Sequence, residues 1–218
     1  MNFDLNAVVH YLPYFLPAAW MTIEITVLGI LLGTALGLAA ALLRLSGRWW
    51  LQLPMRAYIY LIRGTPLLLQ LLFIYFGLRG LAGFSALTSA VLALGIHNGA
   101  YVAEIFRGSI ISISAGQMEA ARSLGMTRHR AMVRIVLPQA LRRAIPALGN
   151  QFIIALKDSS LASTITINEL LLKAQQLASS NFLMMEMLAV AAMFYLFYTA
   201  LFSWLLGRLE ARLGVSGA

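Results

Sequence analysis

From Ile25 to Leu43 the chain runs nineteen residues without a charged side chain, and from Met187 to Gly207 it runs twenty-one more. The hydrocarbon core of a bilayer is crossed by about 20 predominantly apolar residues of helix, so each run alone is long enough to span it. The whole sequence agrees, because 61% of its 218 residues are apolar and only 11% are charged, where a soluble domain carries about 25% charged residues. Five spans take about 100 residues at this rate, and the remainder suffices for loops, termini and one modest insertion. No separate soluble enzyme domain fits. The absence of cysteine removes disulfides, iron–sulfur clusters, thiolate nucleophiles and thiolate zinc sites together.

An all-α membrane protein with five spans is expected, at about residues 18–43, 57–78, 88–111, 145–167 and 187–207. Met1 to Pro17 lacks the basic residues of a cleavable signal, so the first span is expected to stay. Within it Gly29, Gly33 and Gly37 recur every four residues, which places three missing side chains on one face where a neighbouring backbone can come close. The second span contains Arg63-Gly64-Thr65-Pro66, a break in which Thr caps and Pro suits a first helical turn. Trp49, Trp50, Tyr58 and Tyr60 among Arg44, Arg48 and Arg56 read as an interfacial aromatic belt beside a basic loop. Lys157 and Asp158 interrupt the fourth span near its middle, which keeps four- and six-span readings open.

Residues 112–143 hold six arginines against one acid, Glu119, and cannot form a span. Ser114 followed by Gln117 is the pattern of a capping box, and Gly125 sits where a helix C-terminal glycine belongs. Thr127 can cap a second helix, which Pro138 interrupts or bends. The expected product is a basic helix-turn-helix outside the bilayer. Charge counting then sets the orientation. With the N-terminus outside and the C-terminus inside, thirteen of the sixteen Lys and Arg lie on the inner side, Arg79 and Lys173 lie outside, and Lys157 stays within the fourth span. The positive-inside rule selects that arrangement, and it accounts for the net charge of +8 without nucleic acid.

Enzymatic readings find no support. Neither Lys157 nor Lys173 follows a glycine-rich loop, so there is no P-loop to cradle nucleotide phosphates. Intramembrane proteolysis needs paired aspartates, a zinc-binding His-Glu-x-x-His or a serine facing a histidine. Asp4 and Asp158 are the only aspartates, and the histidines are scattered at His10, His97 and His129. No catalytic or metal-ligating set is expected. A passive channel or an assembly protein remains as the alternative class.

The loop sequence Glu119-Ala120-Ala121, three residues, Gly125, nine residues, Ile135, one residue, Leu137-Pro138 resembles the EAA loop of ABC importer permeases at every defining position. Arg63-Gly64-Thr65-Pro66-Leu67, Tyr101-x-Ala103-Glu104-Ile105-x-Arg107-Gly108 and Lys157-Asp158-Ser159-Ser160-Leu161 resemble the polar amino acid uptake branch of that family. The resemblance covers about residues 18 to 210. It implies a five-span subunit of the bacterial cytoplasmic (inner) membrane, surrounded by lipid, that pairs with a second permease, identical or paralogous. An extracytoplasmic binding protein would deliver the amino acid. A dimer of cytosolic ATPase subunits would bind the ATP and Mg, leaving no cofactor in this chain, and would dock on Glu119 to Gly125.

The substrate path is marked less sharply. Polar and ionisable residues inside spans are costly unless paired or hydrated, which nominates Glu24, Asn98, Glu104, Lys157 and Asp158, with Ser159, Ser160, Ser163 and Thr164 as hydrogen-bonding neighbours. A zwitterionic amino acid needs an anion for its ammonium and donors for its carboxylate. Lys157 and Asp158 supply one charge of each sign, although adjacent helix positions point about 100° apart. The i, i+3 spacing of Glu104 and Arg107 equally suits a simple ion pair, and Glu24 equally suits the outer interface.

Overall fold

The computed structural model describes residues 3–78 and 83–214, and among them every regular element is helical. Arg79 of the expected outer loop and Val215 to Ala218 of the tail lie outside the described residues. Helix α1 (Leu5–Tyr11) passes through a 3₁₀ turn (Leu12–Phe15) into α2 (Leu16–Arg44). The Asp4 carboxylate accepts from the N–H groups of Asn6 and Ala7 and so starts α1. Pro13 and Pro17 fall in first turns, where a missing N–H costs nothing. Helix is therefore continuous from Leu5 to Arg44, well upstream of residue 18.

Helix α3 (Trp49–Arg63) and α4 (Leu67–Leu72), which runs on as a π turn (Phe73–Gly77), meet at 107°. The break falls where Gly64-Thr65-Pro66 announces it, but helix begins at Trp49 rather than Ala57, and Thr65 does not cap α4 as expected. Its hydroxyl donates back to the Leu61 carbonyl at 2.9 Å. Gln70 holds the bend instead, its amide donating to the carbonyls of Ile62 (2.8 Å) and Thr65 (3.0 Å), carbonyls that the end of α3 leaves without helical partners.

Helix α5 (Ala86–Ile111) is capped by Ser85, whose hydroxyl accepts from the Thr88 N–H. There follow α6 (Ala115–Ser123), α7 (Arg128–Ala131), a π turn (Met132–Val136), α8 (Leu137–Asp158), a 3₁₀ turn (Ser159–Ile165), α9 (Leu170–Asn181) and α10 (Met184–Leu213). Three helical stretches, Leu5–Arg44, Ala86–Ile111 and Met184–Leu213, are long and apolar enough to cross a membrane, and the bent α3–α4 pair makes a fourth if it is one span. Helix α8 begins at Leu137, upstream of the expected residue 145, and carries Arg142, Arg143, Lys157 and Asp158 toward its ends.

The α2–α5 seam is the centre of the bundle, and its glycines explain why. A Cβ on Gly29 would stand 2.8 Å from Leu94 Cβ, one on Gly33 3.1 Å from the Gly95 carbonyl, and one on Gly37 2.8 Å from the Gly99 carbonyl. The expected glycine face is thus pressed against Gly95 and Gly99 of α5, backbone to backbone, a distance only small residues permit. Helix α8 packs on the same seam through Ala144, which joins Ala41, Val102 and Phe106 in one cluster.

At the opposite end α9 packs Leu170, Ala174 and Ala178 against Phe15, Ala19, Met187 and Val190. The fully buried Glu169 starts it, accepting from the Leu171 and Leu172 N–H groups, both at 2.8 Å, and from the Tyr195 hydroxyl at 2.9 Å. Burial pushes the Glu169 carboxyl above its ordinary range, while those three hydrogen bonds pull the other way.

Candidate functional site

The elbow between α5 and α8 is built by short-range rules. Ser114 caps α6 by accepting from the Gly116 N–H at 3.3 Å. The reciprocal half of the expected capping box is not made. Gln117 turns its side chain toward α8, where its Oε1 accepts from Gln139 Nε2 at 3.3 Å. At the other end the Gly125 N–H reaches the Arg122 carbonyl (2.9 Å) and the Met126 N–H reaches Ala121 (3.1 Å), the paired bonds of a Schellman motif. Gly125 has φ +81°, the left-handed region where a side chain costs about 1–2 kcal/mol. Thr127 then caps α7 by accepting from the Arg130 N–H at 3.3 Å.

Pro138 does not interrupt the second helix of the elbow. Residues 128–165 form one uninterrupted helical run. Proline withholds an N–H and crowds the carbonyl four residues back. The π turn immediately before it widens the helix there, with the Leu137 N–H bonding to the Met132 carbonyl instead, and so absorbs the misfit. Two straps fasten the elbow to the bundle. Arg143 donates to the Ser112 carbonyl (2.5 Å) and hydroxyl (3.1 Å), and Gln139 donates to the Ile135 carbonyl at 2.8 Å while holding Gln117. These bonds join α6 to α8 and the end of α5 to α8.

Of the residues nominated on the elbow, Glu119, Ala120, Gly125 and Pro138 are exposed, Ile135 and Leu137 are half-buried, and Ala121 is buried. Ala121 thus packs inward, and it is Ala120 that leaves the outer face shallow beside Glu119. Leu124, not nominated from the sequence, is 85% exposed at the tip of α6. Its only sequence signal is an apolar residue just before the helix-ending glycine.

The nominated span residues do not converge on one pocket. Asn98 is fully buried in the seam, accepting from Gln151 Nε2 at 2.8 Å and donating to the Leu94 carbonyl at 2.8 Å. Glu104 pairs with Arg44 of α2 and with Arg107 at 2.8 Å, so the i, i+3 pair exists and α2 joins it. Glu24 is half-buried and makes no hydrogen bond or ion pair among the described residues. Lys157 and Ser160 face an open cleft of about 590 Å³ between α8 and α10, together with Ala192, Tyr195, Leu196 and Thr199.

Asp158 is half-buried one position on from Lys157 and has no ion-pair partner among the described residues. The hydroxyls of Ser159, Ser160, Ser163 and Thr164 each donate to the carbonyl three residues earlier at 2.7 Å, which knits the 3₁₀ turn. Tyr195 and Thr199 line the cleft at i, i+4 spacing, a signal hidden in the sequence by the charge-free run around them. A second polar chain joins α3, α4 and α5. Tyr58 donates to the Ile96 carbonyl at 2.6 Å, His97 Nδ1 meets Gln70 Oε1 at 3.1 Å, and the Arg63 guanidinium lies over the Tyr101 ring at 5.1 Å.

The described residues thus form a helical bundle with polar side chains in its seams and a strapped polar elbow at one end. Residues 29–215 match the family described as binding-protein-dependent transport system inner membrane component, and the chain belongs to that family. It is 40% identical to the glutamine transport system permease protein GlnP of Escherichia coli (strain K12) over 99% of this chain and 100% of that protein. It is 41% identical to the octopine transport system permease protein OccM of Rhizobium meliloti over 81% and 76% of the two chains. A solved structure described as an amino acid ABC transporter with histidines superposes with a TM-score of 0.91 at 42% identity, covering 97% of this chain and 100% of that one.

Proposed function

We propose that this chain is the membrane subunit of an ATP-driven importer of polar amino acids in the bacterial inner membrane, working by alternating access. One observation carries the reading: the elbow exposes Glu119, Ala120 and Leu124 while its straps tie it to α5 and α8. A cytosolic ATPase gripping that face moves two helices of the bundle at once. The names of the relatives, for glutamine and octopine transport, support an amino acid as cargo. A second permease and an extracytoplasmic binding protein complete the assembly.

The topology that fits has five spans with the N-terminus outside. Helix α8 is the fourth span, because it lies against α5, α2 and α10 with Ala140, Ala144, Gln151 and Ala155 buried, and its exposed Arg142, Arg143 and Lys157 lie toward its two ends. The elbow then lies in the cytosol with its arginines, as the positive-inside rule requires.

The cleft beside Lys157 is the substrate region, with Lys157 available to a carboxylate and the adjacent Asp158, about 100° around the helix, available to an ammonium at its edge. Binding-protein-dependent, ATP-dependent amino acid uptake into proteoliposomes tests the function. In the same assay Asp158→Asn is expected to lower uptake roughly tenfold or more, the loss of one charge-assisted contact of about 1.5–3 kcal/mol. Wild-type uptake with unchanged selectivity removes Asp158 from the path, and absence of uptake in the parent protein with every candidate amino acid removes the function.

A further inference from the structure

A second cleft, of about 390 Å³, lies between the elbow and the ends of two long helices. Its floor is apolar, made of Leu42, Leu45, Ile110 and Met132, and its rim is polar, made of Ser46, Arg128 and His129. Nothing in the transport cycle described above uses it. Arg128 has no acidic partner, since both ion pairs among the described residues are made by Glu104. Glu119 is the sole acid of the elbow. The floor residues sit where α2 and α5 end, at Arg44 and Ile111, the ends of two helices long and apolar enough to cross a membrane. Trp49 and Trp50, which follow Ser46 closely in the chain, are 74% and 54% exposed, and Arg48 lies over the Trp50 ring at 6.0 Å while its N–H donates to Ser46 Oγ at 3.4 Å.

We propose that this cleft binds the phosphate headgroup of one anionic phospholipid, with the first carbons of its chains on the apolar floor. The volume falls within the roughly 300–1,000 Å³ of small-ligand sites and takes a headgroup rather than a whole lipid. Arg128 supplies the charge, and Ser46 and His129 supply hydrogen bonds to phosphate oxygens. A soluble anion gains the same charge but leaves the floor open to water, which is why the apolar floor favours a lipid. The occupant touches α2, α5 and the elbow together, so it stiffens the joint through which the ATPase pulls. Assignment to the inner leaflet rests on the orientation proposed above; the binding itself does not.

Native mass spectrometry of the detergent-purified permease–ATPase complex, incubated with equal parts phosphatidylcholine and phosphatidylglycerol, tests the inference. The wild type is expected to retain phosphatidylglycerol selectively. Arg128→Gln is expected to lower that selectivity roughly fivefold, the factor given by about 1 kcal/mol per juxtamembrane basic residue. Leu45→Trp, which fills the floor without touching the charge, is expected to lower total retention. Arg134→Gln, an exposed arginine outside the cleft, is expected to change neither. Equal selectivity in Arg128→Gln and wild type overturns the site. Displacement of the lipid by inorganic phosphate, or by adding the ATPase to the free permease, overturns the lipid as occupant. A membrane-impermeant thiol reagent on Arg134→Cys in intact cells reports the orientation separately, so either reading can fail without the other.

Discussion

Glu119→Lys is expected to insert, fold and assemble with its partner permease yet lose roughly tenfold or more of its ATP-driven uptake. The side chain is exposed on α6 and makes no ion pair among the described residues. The substitution therefore removes nothing that holds the elbow together. What it changes is the outward face, where a carboxylate available to a cationic or N–H donor becomes a second cation. One charge-assisted contact is worth about 1.5–3 kcal/mol, and reversal adds repulsion to its loss.

Gly125→Asp is expected to reach the same phenotype from the other side, by distorting the helix end. It places a side chain at φ +81°, where Cβ crowding costs about 1–2 kcal/mol, and a negative charge at a helix C-terminus, which the helix dipole disfavours by about 0.3–1 kcal/mol. Space is not the obstacle, because no atom lies within 4 Å of the added Cβ. Uptake and stimulated ATP hydrolysis measured together in proteoliposomes check both variants. If the two activities are unchanged in both, the elbow is a plain connector.

Gly37→Leu is expected to prevent stable assembly of the bundle altogether. Even a single Cβ at this position would sit 2.6 Å from Val102 Cγ1 and 2.8 Å from the Gly99 carbonyl. A backbone carbonyl cannot rotate away, so α2 and α5 must separate along the seam at the centre of the bundle. Forcing one or two methylenes into a packed interior costs about 1–3 kcal/mol, and leucine adds four carbons where none fits. Gly108→Leu is the control. It lies on the same helix as Gly99, and an added Cβ there meets nothing within 4 Å. Detergent-solubilised yield and thermal aggregation temperature should fall sharply for the first variant and hold for the second. Equal behaviour would mean that the glycine face reflects composition alone.

What could be read from the sequence was what local rules determine. Gly125 and Thr127 end and start helices through bonds to residues within five positions, and both do so in the structure. Gly29, Gly33 and Gly37 declare a face through their spacing, and the face is used. The partners of long-range contacts were not legible. Nothing in sequence joins Gln151 to Asn98, fifty-three positions apart, or Arg143 to Ser112, thirty-one apart.

Gln117 shows the same limit from the opposite direction. Its spacing from Ser114 satisfied a local pattern, but a long-range partner, Gln139, competed for its side chain and prevailed. Pro138 signals an interruption or a bend, and it does not interrupt, because a π turn with no sequence signature of its own precedes it. The turn of 107° between α3 and α4 was marked by Gly64 and Pro66, but its angle depends on Gln70, which pins two carbonyls of the incoming chain.

On the function proposed above, mechanical work enters this bundle through α6. The chain contains no cysteine, so Ala120→Cys provides a unique thiol on the exposed face. A bifunctional thiol crosslinker applied to inside-out membrane vesicles, with a single cysteine in the cleft of the ATPase, should join the two chains, and the yield should change between nucleotide-free and ATP-bound states. A thiol at residue 120 that reacts only from the opposite side of the membrane, or that never joins the ATPase in any nucleotide state, would contradict the account.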